Sequence, residues 1–265
     1  METQALQRIK KFSFPLNVYA YLLAMESGVG DVVNLHFGWF DNVAEPIAVA
    51  QERATLELLA WLPAPPARLL EVGAGVGTTL ALLLERGYDA CGITPDGSQI
   101  DFMRDRHGKD FPVEPVRFED MAIPPEKFDG ILFQESGQYI PLEALFSRAA
   151  MLLRPGGQLI MCDEVMPGGP ESGESLHSLV QLKSVAAEHG FALRHARDQS
   201  ARAAPTVALM LAATSRYRDD LRQRLEVSDE QIDALDESNR KYRSKYASGK
   251  YGYVSLCFSF APALS

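Results

Sequence analysis

The chain has 265 residues, of which 46% are hydrophobic, and it carries a formal net charge of −9 with a pI near 5.1. This length allows one large domain, or one domain with a cap. The acidic balance and the absence of a dense Lys/Arg run argue against a nucleic-acid partner, and no apolar run is long enough to predict a membrane span.

The cysteines predict a reducing compartment. Cys91, Cys162 and Cys257 are few, odd in number and widely spaced. No CxxC or HxxxH spacing accompanies them, so the sequence predicts no metal site. We therefore expect reduced thiols in a cytoplasmic protein.

The chain begins with a mostly helical segment over residues 1–60, and strands then alternate with helices. The apolar runs predict strands at 68–73, 88–94, 113–118 and 128–134. Helices are predicted at 78–87, through 98–106, and at 142–153. The "RPGG" stretch at 154–157 predicts a turn, and a fifth strand follows it at 158–164.

This alternation predicts an α/β protein with a doubly wound, Rossmann-like sheet. Residues 206–246 have helical periodicity and many charges, and the strand-like "YGYVSLCFSF" follows at 251–260. The sheet should therefore be mostly parallel with a C-terminal antiparallel strand, plus helical lid segments. The predicted organisation is an N-terminal lid (1–60), a core (61–205), a cap insertion (206–250) and a final core strand (251–265). Ligands should bind at the carboxyl ends of the strands.

A glycine-rich turn, "EVGAGVGTT" at 71–79, follows the first strand. No Lys or Arg lies between Arg68 and Glu85, so a triphosphate would find no cation there. Glu71 would repel a pyrophosphate but suits an ammonium group. The glycines Gly73, Gly75 and Gly77 allow close backbone approach, and the next helix offers N–H groups to a carboxylate. An ammonium, a carboxylate and a nucleoside together describe S-adenosylmethionine (SAM).

Four stretches resemble one enzyme family. "LEVGAGVGTT" (70–79) is similar to the first motif of class I SAM-dependent methyltransferases. "LHFGWFD" (35–41), "GITPDGSQI" (92–100) and "FDGILFQESGQYIP" (128–141) resemble segments of its tocopherol, sterol and cyclopropane-synthase-like branch. The resemblance spans residues 30–165. It implies an S-adenosyl-L-methionine-dependent methyltransferase, with S-adenosylhomocysteine (SAH) as the product.

The resemblance also assigns residues to roles. Thr94 and Gln99 would contact the ribose, and Glu119, Asp120 and Met121 would surround the adenine. The resemblance implies that further cofactor contacts come from Phe37, Trp39 and Gln134, in addition to Glu71 and the three turn glycines.

Three residues are predicted to be catalytic: Glu135, Tyr139 and His36. Glu135 would take a proton from the acceptor or stabilise positive charge on it. Asp163 and Glu164 end the fifth strand, and since neighbours on a strand point to opposite faces, at most one should reach the substrate.

The expected function is methylation of a small molecule in specialised-metabolite biosynthesis. The resemblance favours carbon as the acceptor atom, while nitrogen and oxygen stay open. Two alternatives remain, namely a SAM-binding cyclase and a non-catalytic SAM-binding module. The expected partner is a small-molecule acceptor, and the expected assembly is a monomer or a homodimer.

Overall fold

The computed structural model describes residues 3–261, which form one seven-stranded sheet with helices on both faces. The strands are β1 (Arg68–Val72), β2 (Asp89–Ile93), β3 (Val113–Glu114), β4 (Phe128–Gln134), β5 (Leu153–Val165), β6 (Phe191–Asp198) and β7 (Gly252–Phe260). Their spatial order is β3-β2-β1-β4-β5-β7-β6. The first five strands are parallel, and β7 runs antiparallel between β5 and β6. This arrangement confirms the predicted fold class.

Eleven α-helices surround the sheet within the described residues. They are α1 (Thr3–Ile9), α2 (Leu16–Glu26), α3 (Ile47–Leu59), α4 (Thr78–Glu85), α5 (Gly97–His107), α6 (Leu142–Leu152), α7 (Leu179–Glu188), α8 (Ser200–Ala203), α9 (Pro205–Arg216), α10 (Arg218–Leu225) and α11 (Asp229–Ala247). Short 3-10 turns occupy Phe118–Asp120 and Gly137–Tyr139. None of these helices is long and apolar enough to cross a membrane.

Both faces of the central strands are buried, which explains their continuous apolar runs. Because successive side chains alternate between faces, Leu69 packs with α3 and α4, whereas Leu70 packs with α6. The chain order reverses between β1 and β4, since β2 lies on the other side of β1. In open α/β sheets, ligands bind outside the carboxyl ends of the strands at such a reversal.

A second hydrophobic cluster joins the N-terminal helices to the later ones. Tyr21 and Leu22 of α2 pack with Met210 of α9, Leu221 of α10 and Leu235 of α11. We call α9, α10 and α11 the cap helices. The predicted helical segments at 1–60 and 206–246 therefore meet each other.

The chain leaves the sheet after β6 and returns at β7. The two ends of this excursion meet, because the Gln199 N–H donates to the Tyr253 carbonyl at 2.8 Å. The predicted division of the chain into segments stays a prediction, and residues 262–265 of the last segment lie outside the described residues.

Three local predictions differ from the structure. The third strand covers only Val113–Glu114, because Pro115 has no N–H to continue the ladder and a 3-10 turn begins at Phe118. The predicted turn at 154–157 lies inside β5 instead, where a register shift between Phe128 and Gly130 absorbs the extra residues. Strand β6 and helix α7 were not predicted.

Candidate active site

A cavity of about 580 Å³ lies at the carboxyl ends of the parallel strands. Its walls come from the glycine turn after β1, the ends of β2, β4 and β5, and the segment after β3. Helices α2, α9 and α11 complete it with residues such as Tyr19, Met210 and Tyr242. The cavity therefore lies at the chain reversal and beneath the cap helices.

The three turn glycines all have positive φ, but they serve two purposes. Their φ values are 74° at Gly73, 57° at Gly75 and 80° at Gly77. Gly73 and Gly75 line the cavity. A Cβ at Gly75 would have its nearest neighbour, Leu35 Cδ1, at an ordinary contact distance of 3.5 Å, so the protein leaves room for a methyl group there.

Gly77 does not line the cavity. A Cβ at Gly77 would come within 2.9 Å of both Met103 Cγ and Phe111 Cε1. The cofactor contact of Gly77 stays a prediction, and in this structure the absence of its side chain lets Met103 and Phe111 pack against the turn.

Glu71 ends β1 behind the turn and is only 3% exposed. Its Oε2 atom has no hydrogen-bond partner among the described residues. Burial raises the pKa of the Glu71 carboxyl to about 8. Glu71 does not line the cavity wall itself, but a buried carboxylate without a counter-charge suits a nearby ammonium group. The turn thus fits the methionyl part of SAM.

Polar side chains that suit a nucleoside follow β2. The Thr94 hydroxyl donates to Gln99 Oε1 at 2.8 Å, which leaves the Gln99 amide N–H groups available at the cavity wall. Asp96 accepts from the Ser98 N–H at 2.8 Å and caps α5. Thr94 and Gln99 thus lie where the sequence predicts a ribose contact.

Of the three residues predicted to surround the adenine, the segment after β3 brings one to the cavity wall. Glu119 lines the cavity, with its Oε1 3.9 Å from Arg117 Nη2. Asp120 is exposed and lies outside the cavity wall. Met121 packs on the hydrophobic core beneath the sheet, and its carbonyl accepts from Arg148. The adenine contacts of Asp120 and Met121 stay predictions, and neither side chain lines the cavity in this structure.

Glu135 follows β4 and lies at the cavity with a left-handed backbone. Its φ of 57° is uncommon for a residue with a side chain, and such strain concentrates at functional sites. Its Oε1 accepts from the Phe37 N–H at 2.6 Å and from the Tyr253 hydroxyl at 2.7 Å. Burial and the nearby Glu164 raise the pKa of the Glu135 carboxyl to about 8.

Glu164 and Asp163 end β5 and point in opposite directions, as predicted. Glu164 lines the cavity, and its Oε1 accepts from the Tyr246 hydroxyl at 2.8 Å. Burial raises the pKa of the Glu164 carboxyl to about 7. Asp163 Oδ2 instead accepts from the Gly137 N–H at 3.1 Å, away from the cavity.

His36 lines the cavity, but both of its ring nitrogens are engaged. Nδ1 lies 2.8 Å from the Phe37 carbonyl, and Nε2 lies 3.2 Å from the Thr55 hydroxyl. Burial lowers the pKa of the His36 imidazole to about 4. The role of His36 as a base stays a prediction, and both of its ring nitrogens already have neighbouring hydrogen-bond partners.

Gln134 shares the Thr55 hydroxyl with His36 as a hydrogen-bond partner. It donates to Thr55 at 3.0 Å and accepts from Thr79 at 3.1 Å. Its side chain borders the cavity from this fixed position.

The predicted aromatic residues divide between the cavity and the core. Phe37 lines the cavity and stacks on Tyr253 with centroids 5.8 Å apart. Trp39 is 1% exposed, packs edge-on against Tyr253 and does not line the cavity, and its cofactor contact stays a prediction. Tyr139 lines the cavity and is 77% exposed, which places it at the mouth.

The tyrosines that hold the carboxylates were missed. Tyr246 belongs to the predicted helical cap and Tyr253 to the predicted last strand, where a tyrosine is typical of ordinary hydrophobic packing. Only the partner of each hydroxyl reveals its role, and that partner is distant in sequence. Among residues 3–261, no group of three or more His, Cys, Asp or Glu side chains is placed to hold a metal ion.

Residues 70–161 match the family described as a methyltransferase domain. An O-methyltransferase of Pyrenophora dematioidea is 30% identical over 165 residues, covering 57% of this chain and 62% of that protein. The 27-O-demethylrifamycin SV methyltransferase of Amycolatopsis mediterranei is 29% identical over 150 residues, covering 54% and 55%. The chain thus spans less than two thirds of the length of these relatives.

Solved structures share the fold across nearly the whole chain. The cyclopropane synthase MmaA2 of Mycobacterium tuberculosis superposes with a TM-score of 0.77 at 15% identity, covering 97% of both chains. The [4+2]-cyclase SpnF superposes with a TM-score of 0.76 at 20% identity, covering 93% of this chain and 95% of that one. At these identities the likeness shows the fold.

Proposed function

We propose that the chain transfers a methyl group from SAM to a small molecule, because residues 70–161 match the methyltransferase domain family, as the sequence predicted. The single observation that carries the proposal is the cavity. It joins two left-handed glycines, a polar nucleoside end and a buried carboxylate at the carboxyl ends of one sheet.

The residues of this chain would hold SAM along the strand ends. Gly73 and Gly75 would admit the methionyl part, while Thr94, Gln99 and Glu119 would bind the nucleoside on the side of β2 and β3. The reactive centre would then face β4 and β5. Phe37 borders this region, and an aromatic face there would attract a sulfonium. SAM supplies a methyl group on a good leaving group, so the protein mainly supplies alignment and exclusion of water.

Glu135 is the proposed base. Its Oε1 is held by Phe37 and Tyr253, and its Oε2 takes no hydrogen bond among the described residues. For a hydroxyl acceptor, Oε2 would take the proton as the acceptor oxygen bonds to the methyl carbon. The electron pair of the broken carbon–sulfur bond stays on sulfur. Burial supports this role, because a raised pKa suits a group that must bind a proton near neutral pH.

We favour oxygen as the acceptor atom over carbon or nitrogen. Two relatives are named for O-methylation, and Glu135 can remove a hydroxyl proton. The rifamycin relative also supports a specialised metabolite as the acceptor.

A SAM-binding cyclase is the second candidate, because SpnF shares this fold over most of both chains. The two functions differ in product. A methyltransferase converts SAM to SAH in step with the acceptor, whereas such a cyclase would leave SAM unchanged.

The test has two stages. Calorimetry should show SAH binding at one site per chain, and the absence of binding would contradict both candidates. The protein should then be incubated with SAM and a panel of hydroxylated polyketides, with SAH measured by mass spectrometry. Acceptor-dependent SAH is expected. Conversion of an acceptor without SAH would favour the cyclase.

A further inference from the structure

Two carboxylates line the cavity on the side of β4 and β5, which we call the acceptor end. Glu135 directly follows β4, and Glu164 is the last residue but one of β5. Each uses Oε1 to accept a tyrosine hydroxyl, from Tyr253 and Tyr246 respectively. Glu135 Oε2 takes no hydrogen bond from the residues that the structure describes, and Glu164 has the Tyr242 hydroxyl as its one further neighbouring donor. Glu164 is only 6% exposed, so its second oxygen faces a confined space rather than bulk water.

No protein cation balances these carboxylates. Among the described residues that line the cavity, Arg117 is the single Lys or Arg. Arg117 follows β3. Four inter-strand spacings separate β3 from β5, so these two strands lie about 19 Å apart across the sheet. Arg117 also lies beside Glu119. The ring nitrogens of His36 are both engaged.

The cap side of the acceptor end is neutral. Tyr19, Asn239 and Tyr242 provide its polar groups, and the Tyr19 hydroxyl donates to Asn239 Oδ1 at 3.0 Å. Leu23 and Met210 provide apolar surface. The acceptor end therefore combines a neutral, partly apolar wall with two carboxylate oxygens that can accept hydrogen bonds.

We propose that Glu164, together with Glu135, selects acceptors that present a second O–H or N–H donor and carry no anionic group. This inference deepens the proposed function and rests on it. While Glu135 Oε2 faces the reacting hydroxyl, Glu164 Oε2 accepts a hydrogen bond from another donor on the same molecule.

The selection follows from the cost of burying charge. A carboxylate or phosphate on the acceptor would lie near two protein carboxylates with no cation to offset the repulsion. A donor satisfies the free oxygens, and a protonated amine also balances their charge. Specificity then comes from rejecting anions as much as from binding donors.

Three probes of equal chain length test this selection. Octylamine, 1-octanol and octanoate are titrated by calorimetry into SAH-saturated protein at about pH 9, where the Glu135 and Glu164 carboxyls are ionised, the amine is still cationic and the acid is anionic. Octylamine should bind at least about tenfold more tightly than octanoate, with octanol between them.

Two variants separate Glu164 from general charge effects. Glu164→Gln should shrink the preference for octylamine roughly tenfold. Glu237→Gln removes the same charge on the outer face of α11, where Glu237 pairs with Lys241, and should leave the preference intact. If Glu164→Gln loses SAH binding, Glu135→Gln is measured with the same expectation.

Equal binding of octanoate and octylamine would overturn the proposal. So would an unchanged preference in the Glu164→Gln variant that still binds SAH, or wild-type protein that binds SAH but none of the probes. A wild-type protein that binds no SAH contradicts the proposed function instead, so the two failures are distinguishable.

Discussion

At the scale of single residues, Glu135 shows how the fold holds a carboxylate for chemistry. Its left-handed backbone follows the last residue of β4, and its N–H donates to the Cys162 carbonyl on β5. Phe37 and Tyr253, from opposite ends of the chain, fix Oε1. The sequence predicted that Glu135 lies at the site. It could not predict the Tyr253 contact, because 118 residues separate the two and no local pattern links them.

The first prediction concerns Glu135→Gln. The substitution keeps size and hydrogen bonding but removes the base, so kcat should fall roughly 10²-fold with a smaller change in the KM for SAM. In the wild type, kcat should rise with pH up to about 8, because the pKa of Glu135 is raised to about 8 and only the ionised form accepts a proton. The variant should lose this rise.

The control is the melting temperature of the same variant. A folded variant that turns over like the wild type would rule out Glu135 as the base. A variant that unfolds would indicate a structural role for the carboxylate.

Glu71 gives the second prediction, which links stability to pH. Its pKa is about 8 in the folded protein and near 4.5 when unfolded. The folded protein therefore holds a proton that the unfolded chain releases, so the free energy of unfolding falls as pH rises from about 4.5 to about 8. Glu71→Gln should remove part of this fall and raise the melting temperature at about pH 8, while weakening SAM binding.

Thermal melts of both proteins across this pH range provide the measurement. If the melting temperatures of the variant and the wild type changed equally with pH, the pKa of Glu71 would not differ between the folded and unfolded chain. Unchanged SAM affinity would remove it from the cofactor site.

At the scale of elements, two glycines of the turn between β1 and α4 have different surroundings, since Gly75 lines the cavity and Gly77 packs against other residues of the protein. Gly75 and Gly77 have the same left-handed backbone, so an alanine at either position carries a similar backbone cost of about 1 kcal/mol. They differ in surroundings. A Cβ at Gly75 meets Leu35 at an ordinary contact distance of 3.5 Å, whereas a Cβ at Gly77 comes within 2.9 Å of Met103 and Phe111.

The third prediction compares Gly75→Ala with Gly77→Ala. Gly75→Ala should weaken SAM binding at least about tenfold, because the added methyl occupies space that the backbone leaves for the ligand. Gly77→Ala should show the larger drop in melting temperature, since Met103 and Phe111 must move. Calorimetry and thermal melts on both variants test the comparison. The reverse ranking would mean that Gly77 is the ligand contact.

Buried elements were predictable because their patterns are continuous. Strands β1 and β4 lie inside the sheet, so their apolar runs stand out. Strand β6 was missed because it is an edge strand, exposed along nearly all of its length and rich in charge. Its sequence "FALRHARD" therefore lacks the alternation that marks a half-buried strand.

At the scale of the whole molecule, the cofactor half of the site was largely predictable and the cap half was not. Gly73, Thr94 and Gln99 follow strands whose order fixes their place. Tyr19 and Asn239 meet across 220 residues, and only the packing of α2 against the cap helices brings them together. Helical periodicity predicts such helices but not which of their faces meet.

The fourth prediction is that nucleic acid is not a ligand. A net charge of −9 repels phosphates, and Arg117 is the one Lys or Arg that lines the cavity within the described residues. Any binding of a fluorescent RNA or DNA strand should be weak and vanish as salt rises. Submicromolar binding measured by anisotropy at physiological salt would contradict this expectation.

The hydrogen bond from Gln199 to Tyr253 has a consequence for how this scaffold can change. The segment that contains the cap helices begins after β6 and ends before β7, and these two strands are paired neighbours. The two ends of the segment therefore lie close together, and we call it the cap cassette. A chimaera made at these two positions would exchange the wall that faces the acceptor while keeping the glycine turn and strand order. Under the proposed function, such an exchange would change which acceptor binds and leave the strand-end residues proposed to hold SAM in place.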